Sequence, residues 1–292
     1  MNLSNYGEVF NNYDLTNNNT YGLHSKCKYF VKVFDEISLK NLIEYLNKEK
    51  EKYFILGGGS NVILGDTLYD GVIISLEKLN DIKINNNIVE ASSGILLSKF
   101  VNTLVDNNLE GYERLALIPG SLGGALYGNA GCHNTEIYDH LISIKILENN
   151  EIRTILKKDI KYSYRNTEFK KEKSIILSAK FELSYGDKEK MNDIIRIDRM
   201  SRIKNQPLEY KNAGSVFKNP EGMSAGKLIE DSNLKGTSIN GAEISMKHAN
   251  FIINKGNATR KDILELINVI KTNVKKNNNI DLELEQVVVD WD

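Results

Sequence analysis

Ser215 is set apart from the other hydroxyls of this 292-residue chain by its neighbours. It lies in Ala213-Gly214-Ser215-Val216-Phe217-Lys218-Asn219-Pro220, between a flexible glycine and a Phe-Lys-Asn-Pro run, with no His or Asp beside it to serve as a base. A serine without a base is a poor nucleophile, but it can still give its proton to a strongly basic atom. Another part of the chain must create that atom.

Two glycine segments are the candidates for holding the group that does so. Gly57-Gly58-Gly59-Ser60-Asn61 follows the apolar run Tyr53-Phe54-Ile55-Leu56 and leads into Val62-Ile63-Leu64, so it joins two strands. A dinucleotide turn would need a third spaced glycine and then a helix, and an NTPase phosphate loop would need Gly-Lys-Ser/Thr; neither pattern is present here. Consecutive glycines can still form a nest of N–H groups for a pyrophosphate, with Ser60 and Asn61 adding donors. For this loop taken alone, a tight strand connection is the better explanation. The second segment runs from Ile118-Pro119-Gly120-Ser121-Leu122-Gly123-Gly124-Ala125 to Asn129-Ala130-Gly131. Glycines this dense in an apolar run mark close backbone approach to another strand or to a flat or anionic ligand. A dinucleotide is long enough to touch both segments.

The elements around these segments read as α+β. Strands are expected at Tyr29 to Phe34, Tyr53 to Leu56, Val62 to Leu64, Gly71 to Ser75, Asn87 to Ala91, Ser143 to Glu148 and Ile175 to Leu183. Leu39, Leu42, Ile43 and Leu46 have helical spacing, and a second helix is expected over about Leu96 to Asn107. Asp187 to Lys204 predicts a helix with Met191, Ile194, Ile195, Ile197 and Met200 as its apolar face, ended by Pro207. The C-terminal part predicts a short helix at Ala225 to Asp231, a strand at Phe251 to Ile253, and a long helix from Thr259 to Val274 opened by a Thr259/Asp262 capping box. A last strand alternates at Leu282 to Glu285 and becomes apolar at Val287 to Val289. The expected domains are residues 1–187, in two parts at about 1–72 and 73–187, and residues 188–292.

Composition limits the partners. Hydrophobic residues at 41% and charged residues at 26% are ordinary for a globular protein, and 38 basic against 39 acidic side chains leave a net charge of -1. Such a balance gives no global field for nucleic acid or an acidic membrane, so neither is expected as a partner. Cys27 and Cys132, the two cysteines, are too few for a disulfide framework or a metal site, which suits a reducing cytoplasm. Met1 to Leu15 lacks the pattern of a signal peptide, and no apolar run approaches the ~20 residues that span a bilayer.

Taken together, these segments resemble the UDP-N-acetylenolpyruvoylglucosamine reductase family. The resemblance is carried by Gly57 to Asn61, Pro119 to Ala125, Tyr164-Arg165, Gly214 to Pro220, Ser245-Met246-Lys247-His248-Ala249-Asn250-Phe251 and Leu282 to Glu285. It implies an FAD-binding fold of the vanillyl-alcohol oxidase and p-cresol methylhydroxylase type, with non-covalent FAD and NADPH as co-substrate. It also implies cytoplasmic synthesis of a peptidoglycan precursor by a chain expected to be monomeric. About fifty residues between Tyr164 and Ser215 leave too little room for an inserted substrate loop, which points to the shorter, second type.

The same resemblance assigns the catalytic roles to Arg165, Ser215 and Glu285, the last returned to the active site by the final strand. Gly57, Gly58, Gly59, Ser60, Asn61, Pro119, Gly120, Ser121, Gly123, Gly124, Asn129 and Ala130 become the expected FAD contacts. Tyr164, Lys218, Asn219 and Lys235 become the expected substrate contacts, and no metal is expected. Arg165 would hold the substrate carboxylate, Ser215 would protonate the carbon made basic by hydride addition, and Glu285 would stay protonated by burial and donate a hydrogen bond. Each residue also has a plainer reading: Arg165 as an ion-pair partner of Glu168, Ser215 as a turn cap, Glu285 as a solvated strand residue like Glu283. The chain departs from the family at Asn129-Ala130-Gly131-Cys132-His133-Asn134, where the usual run is Asn-Ala-Gly-Ala-Tyr-Gly. The rival functions are an oxidase of the same flavin fold and a non-catalytic FAD-binding protein.

Overall fold

The computed structural model describes residues 1–171 and 174–291. They divide into two compact units. The first comprises Met1–Asn11, Tyr29–Gly58 and Gly71–Arg199, and the second comprises Asn12–Lys28, Gly59–Asp70 and the chain from Met200 onward. The change of unit at Arg199 falls within a helix, and the second unit recruits two N-terminal segments that a single cut in the chain cannot express.

In the first unit, helix α1 (Glu36–Glu49) begins where Asp35 accepts the Ser38 N–H at 2.7 Å and ends at Lys50 in the left-handed conformation. Its expected stripe, Leu39, Leu42, Ile43 and Leu46, packs with Val31, Val33, Val72 and Ile74 of a four-stranded sheet. The strand order is Gly7–Asp14, Lys26–Val33, Leu68–Ser75, Tyr53–Leu56. The last two are parallel, with Tyr53 opposite Val72, so the first glycine segment leaves the carboxyl end of a parallel strand. That is the usual end for ligands in such sheets. Gly7–Asp14 lies in what reads from sequence as a polar lead. It is the edge strand and largely exposed, so it carries no apolar signal.

An antiparallel five-stranded sheet runs in the order Glu151–Leu156, Leu141–Glu148, Ile175–Glu182, Ile88–Ser92, Ile82–Asn85. Helices α2 (Leu97–Asp106) and α3 (Leu122–Gly128) share a core with it through Phe100, Val101, Leu104, Leu122, Ala125, Leu126, Ile144 and Phe181. Helix α3 is absent from the sequence reading, which treats its segment only as glycine-rich. Leu122, Ala125 and Leu126 bury one face and outweigh a glycine penalty of ~1 kcal/mol per residue. Gly123 permits the packing, because a Cβ there would stand 2.8 Å from the Ser93 Cβ.

Helix α4 (Lys188–Asn205) forms where expected but buries only part of the expected face. Met191, Ile195 and Asp198 are buried, whereas Ile197 and Met200 are 57% and 64% exposed. In the second unit, α5 (Ala225–Asp231) and α6 (Arg260–Asn278) pack with a sheet of Ser238–Ile239, Ala242–Ile244 and Ile252–Asn254. The Thr259/Asp262 capping box opens α6, and Ile263, Leu266, Ile267 and Ile270 meet Val216, Phe217, Ile229 and Ile252 in one core. The last strand is shorter than expected. Val287–Val288 pairs in parallel with Val62–Ile63, while Leu282 to Glu285 adds only the bridge from Leu284 to Phe217.

Candidate active site

Within the first unit the two glycine segments touch. A Cβ on Gly58 would come within 2.6 Å of the Gly120 Cα, and one on Gly57 within 2.8 Å of the Ser121 Oγ. Glycine is therefore required where these backbones pass each other. Ser121 caps α3, accepting the Gly124 N–H at 3.3 Å, and Asn129 closes the same helix in the left-handed conformation, φ 48°. Seven helical residues separate the two ends by roughly 10 Å. A ligand lying along α3 and reaching Gly57 and Gly58 must be long, as a dinucleotide is.

Asn129 is fully buried. Its Nδ2 donates to Glu136 Oε2 at 2.7 Å and to the Ser163 carbonyl at 3.0 Å, which fixes the orientation of the amide. Its Oδ1 is buried with no hydrogen-bond partner among the described residues, and the same holds for the Ser93 Oγ. An unpaired buried acceptor costs free energy unless a donor arrives. A flavin ring carries such an N–H. The paired glycine loops and this acceptor therefore fit FAD.

Arg165 occupies a two-residue turn between Tyr162–Ser163 and Asn166–Thr167, at φ 53°. A left-handed arginine is uncommon and marks a position fixed by its surroundings. Its Nη1 donates to the Asn129 carbonyl at 3.2 Å and its Nη2 to the Gly131 carbonyl, so the end of the second glycine segment grips the guanidinium. The exposed Tyr164 ring lies 4.9 Å from the Arg165 Cζ. Glu168 accepts the Lys161 N–H at 3.2 Å, so part of its carboxylate is engaged by main chain.

The divergent hairpin after Asn129 has plain structural employment. Cys132 Sγ donates to the Arg114 carbonyl at 2.9 Å. His133 and Asn134 form its turn with φ 49° and 59°, and the His133 Nε2 lies 3.7 Å from Asp198, which Arg114 holds at 2.7 Å.

In the second unit, Ser215 follows Gly214 at φ 74° and lies two residues before the Phe217 bridge to Leu284. Val216 donates its N–H to the Asn250 carbonyl, and the Asn250 side chain closes both backbone groups of Phe217 at 3.0 and 2.8 Å. On the other side, the Glu285 N–H donates to the Val216 carbonyl and the Lys218 N–H to the Glu283 carbonyl, each at 2.9 Å. Ser215 and Glu285 thus lie on adjacent backbones, and both are half-buried. Asn61 donates its Nδ2 to the Glu285 carbonyl at 3.2 Å, tying the end of the first glycine segment to this pair. Gly59, at φ 63°, leaves 1.9 Å between a Cβ position and the Asn18 carbonyl oxygen.

The expected substrate contacts have partners of their own. Lys218 pairs with the exposed Glu283, Lys235 with Glu230 at 3.1 Å, and the Asn219 Oδ1 accepts the Ala225 N–H at 3.0 Å. Gln286 is absent from the sequence-based list of site residues. Its buried amide receives the Tyr21 hydroxyl at 3.0 Å and donates to the carbonyls of Ala213 and Gly214 at 3.1 and 3.3 Å. The signal for it was available: in the alternation that turns Glu283 outward, Gln286 turns inward. His248, half-buried, is held below its ordinary titration range chiefly by burial, with Lys235 adding to the effect.

A glycine-lined cradle beside a buried acceptor defines a flavoprotein of α+β architecture, and comparison with known proteins agrees. Residues 27–153 match the FAD binding domain model, and residues 206–289 match the UDP-N-acetylenolpyruvoylglucosamine reductase C-terminal domain model. The UDP-N-acetylenolpyruvoylglucosamine reductase of Clostridium novyi is 42% identical over 97% of this chain and 92% of its own. That of Clostridium tetani is 44% identical over 82% and 78%. A crystal structure of the Thermus caldophilus enzyme superposes with a TM-score of 0.82 at 29% identity, covering 96% of this chain and 98% of that one. The chain belongs to the UDP-N-acetylenolpyruvoylglucosamine reductase family.

Proposed function

We propose that the protein reduces UDP-N-acetylglucosamine enolpyruvate to UDP-N-acetylmuramate, with FAD as cofactor and NADPH as reductant. The observation that carries this reading is the hydrogen bond from the Glu285 N–H to the carbonyl of Val216, the residue after Ser215, inside the matched C-terminal domain, with Asn61 of the glycine loop donating to the Glu285 carbonyl. When bound, FAD would supply hydride transfer between NADPH and the vinyl carbon of the enolpyruvyl ether. The contacts assigned to it are Gly57, Gly58, Pro119, Gly120, Ser121, Gly123, Gly124, Asn129 and Ala130 in the first unit, and Gly59, Ser60 and Asn61 in the second.

The chain's own residues handle charge and the proton. Arg165 binds the substrate carboxylate with its planar fork and stabilises the charge that develops on it. The Ser215 hydroxyl delivers its proton to the adjacent carbon, completing the C–H bond. Glu285, carrying a proton, donates a hydrogen bond to the enolate form of the carboxylate. Tyr164, Lys218 and Asn219 contact the substrate, and Lys235 its diphosphate. For the two lysines this means exchanging an acidic partner, Glu283 or Glu230, for phosphate or sugar.

Between Tyr164 and Ser215 the described residues form a hairpin, strand Ile175–Glu182, strand Ser184–Tyr185 and α4, which supports assignment to the shorter type. The enzyme works in the cytoplasm as a monomer in this reading; the two separate thiols support the location, and light scattering tests the state.

The experiment is spectroscopic. The purified protein is expected to be yellow, to bleach with NADPH, and to recover its colour with UDP-N-acetylglucosamine enolpyruvate faster than with oxygen. Recovery that depends on oxygen alone would replace this reading with that of an oxidase. Bound flavin that NADPH does not bleach would point to a non-catalytic FAD-binding protein.

A further inference from the structure

We propose that Glu136 is a positioning residue for Arg165, acting through Asn129. The inference rests on the catalytic reading of Arg165 given above, and every contact it uses lies in the first unit.

The guanidinium is held by two main-chain carbonyls, those of Asn129 and Gly131. Main-chain carbonyls position a charged group only as well as their own backbone is fixed. Glu136 fixes both. Its carboxylate accepts the Asn129 Nδ2 at 2.7 Å, and it is the register partner of Gly131 in the hairpin Gly131–Cys132 and Thr135–Glu136. The other Asn129 N–H goes to the Ser163 carbonyl at 3.0 Å, two residues before Arg165 in its own turn. One amide therefore ties the carbonyl that grips the arginine, the strand that delivers it and the carboxylate of Glu136.

The carboxylate also decides which way the amide points. With the amide reversed, Oδ1 would face Glu136 and the Ser163 carbonyl, putting three acceptors together with no donor. Glu136 thus keeps Nδ2 on the arginine's turn and leaves Oδ1 as the buried unpaired acceptor. A group of this kind holds a reacting residue to its productive place, where a shift of about 1 Å can cost about a hundredfold in rate.

The test compares Glu136→Leu, which removes the acceptor, with Glu136→Gln, which keeps an oxygen in reach. Stopped-flow absorbance of flavin-loaded enzyme separates reduction by NADPH from reoxidation by the enolpyruvyl substrate. Calorimetry gives the Kd of UDP-N-acetylmuramate, whose carboxylate Arg165 also holds. Glu136→Leu is expected to slow reoxidation by about a hundredfold and to weaken the carboxylate ligand, while reduction by NADPH stays near wild type. Glu136→Gln is expected to recover most of the loss. Combined with Arg165→Ala, Glu136→Leu is expected to add nothing, because it acts through the side chain already removed.

If Glu136→Leu slows both half-reactions equally, or if its effect multiplies that of Arg165→Ala, Glu136 is structural and the inference is wrong. If Arg165→Ala itself leaves reoxidation untouched, the catalytic reading of Arg165 fails instead. A Glu136→Leu protein too unstable to measure shifts the decision to Glu136→Gln in the same double-variant comparison. There, multiplication of effects again overturns the proposal and non-additivity supports it.

Discussion

The Glu285 N–H donates to the carbonyl of Val216 at 2.9 Å, which sets the carboxylate strand alongside the serine that precedes Val216. The backbones that carry Ser215 and Glu285 are thereby made neighbours, and the side chains of Asn61, Asn250 and Gln286 brace them. Ser215→Ala removes the hydroxyl without touching that hydrogen bond. We expect full flavin content, near-normal reduction by NADPH, and reoxidation by the enolpyruvyl substrate slowed about a hundred- to thousandfold. Rapid-mixing absorbance measures both steps, and equal damage to the two would make Ser215 structural.

Gln286 holds the same strand from beneath. Gln286→Leu would leave the Tyr21 hydroxyl and the carbonyls of Ala213 and Gly214 without this partner, and Tyr21 and Ala213 are buried. Each unpaired buried group costs roughly 1–3 kcal/mol. We expect a clear fall in the urea midpoint together with a loss of turnover, since Gly214 carries Ser215. An unchanged midpoint would show that these bonds contribute little.

Some of this arrangement is legible in the sequence and some is not. The stripe of α1 and the capping box of α6 are local signals, and both elements form as read. Helix α3 escapes because its stabilisation comes from tertiary burial of Leu122, Ala125 and Leu126, against the local preference of its glycines. The buried face of α4 is read correctly at Met191 and Ile195 and missed further on, where Asp198 is drawn inward by Arg114 while Ile197 and Met200 point outward. Ser215 and Glu285 are legible as motifs. The anchoring of Arg165 is not, because its acceptors are main-chain carbonyls 34 and 36 residues away, and carbonyls have no sequence signature.

The contact between the glycine segments gives a direct test of the cradle. In Gly58→Ala the new Cβ would meet the Gly120 Cα at 2.6 Å, so one backbone must move. Overpacking of this kind costs ~1–3 kcal/mol, which corresponds to a loss of roughly ten- to hundredfold in FAD affinity if it falls on the bound state. Gly128→Ala is the control, since nothing lies within 4 Å of its Cβ position. The ratio of flavin to protein absorbance after dialysis should drop for the first variant alone. Equal retention by both would remove the loop contact from the account of FAD binding.

Cys132 beside His133 invites the question of a flavin–cysteine bond. The thiol donates to the Arg114 carbonyl and its neighbour lies 3.7 Å from Asp198, so both side chains are engaged in holding the hairpin. Acid precipitation should therefore release all the FAD into the supernatant, from wild type and from Cys132→Ala alike. Flavin that stays with the wild-type pellet and leaves the variant would establish a covalent link.

His248 carries a prediction about acid. Burial holds it below its ordinary value of 6.5, Lys235 pushes in the same direction, and its own main chain and Glu230 oppose them. In the folded state the ring therefore resists protonation, while in the unfolded chain it accepts a proton near pH 6.5. Below that pH the unfolded state binds more protons than the folded one, so stability must fall with pH until the folded-state value is passed. Above it, both states are neutral and the residue contributes no slope. His248→Gln cannot titrate, and its urea midpoint should decline less between pH 7.5 and pH 5.5 than that of the wild type, although the two need not agree at pH 7.5. Parallel curves across that interval would mean that His248 titrates alike in the folded and unfolded chain.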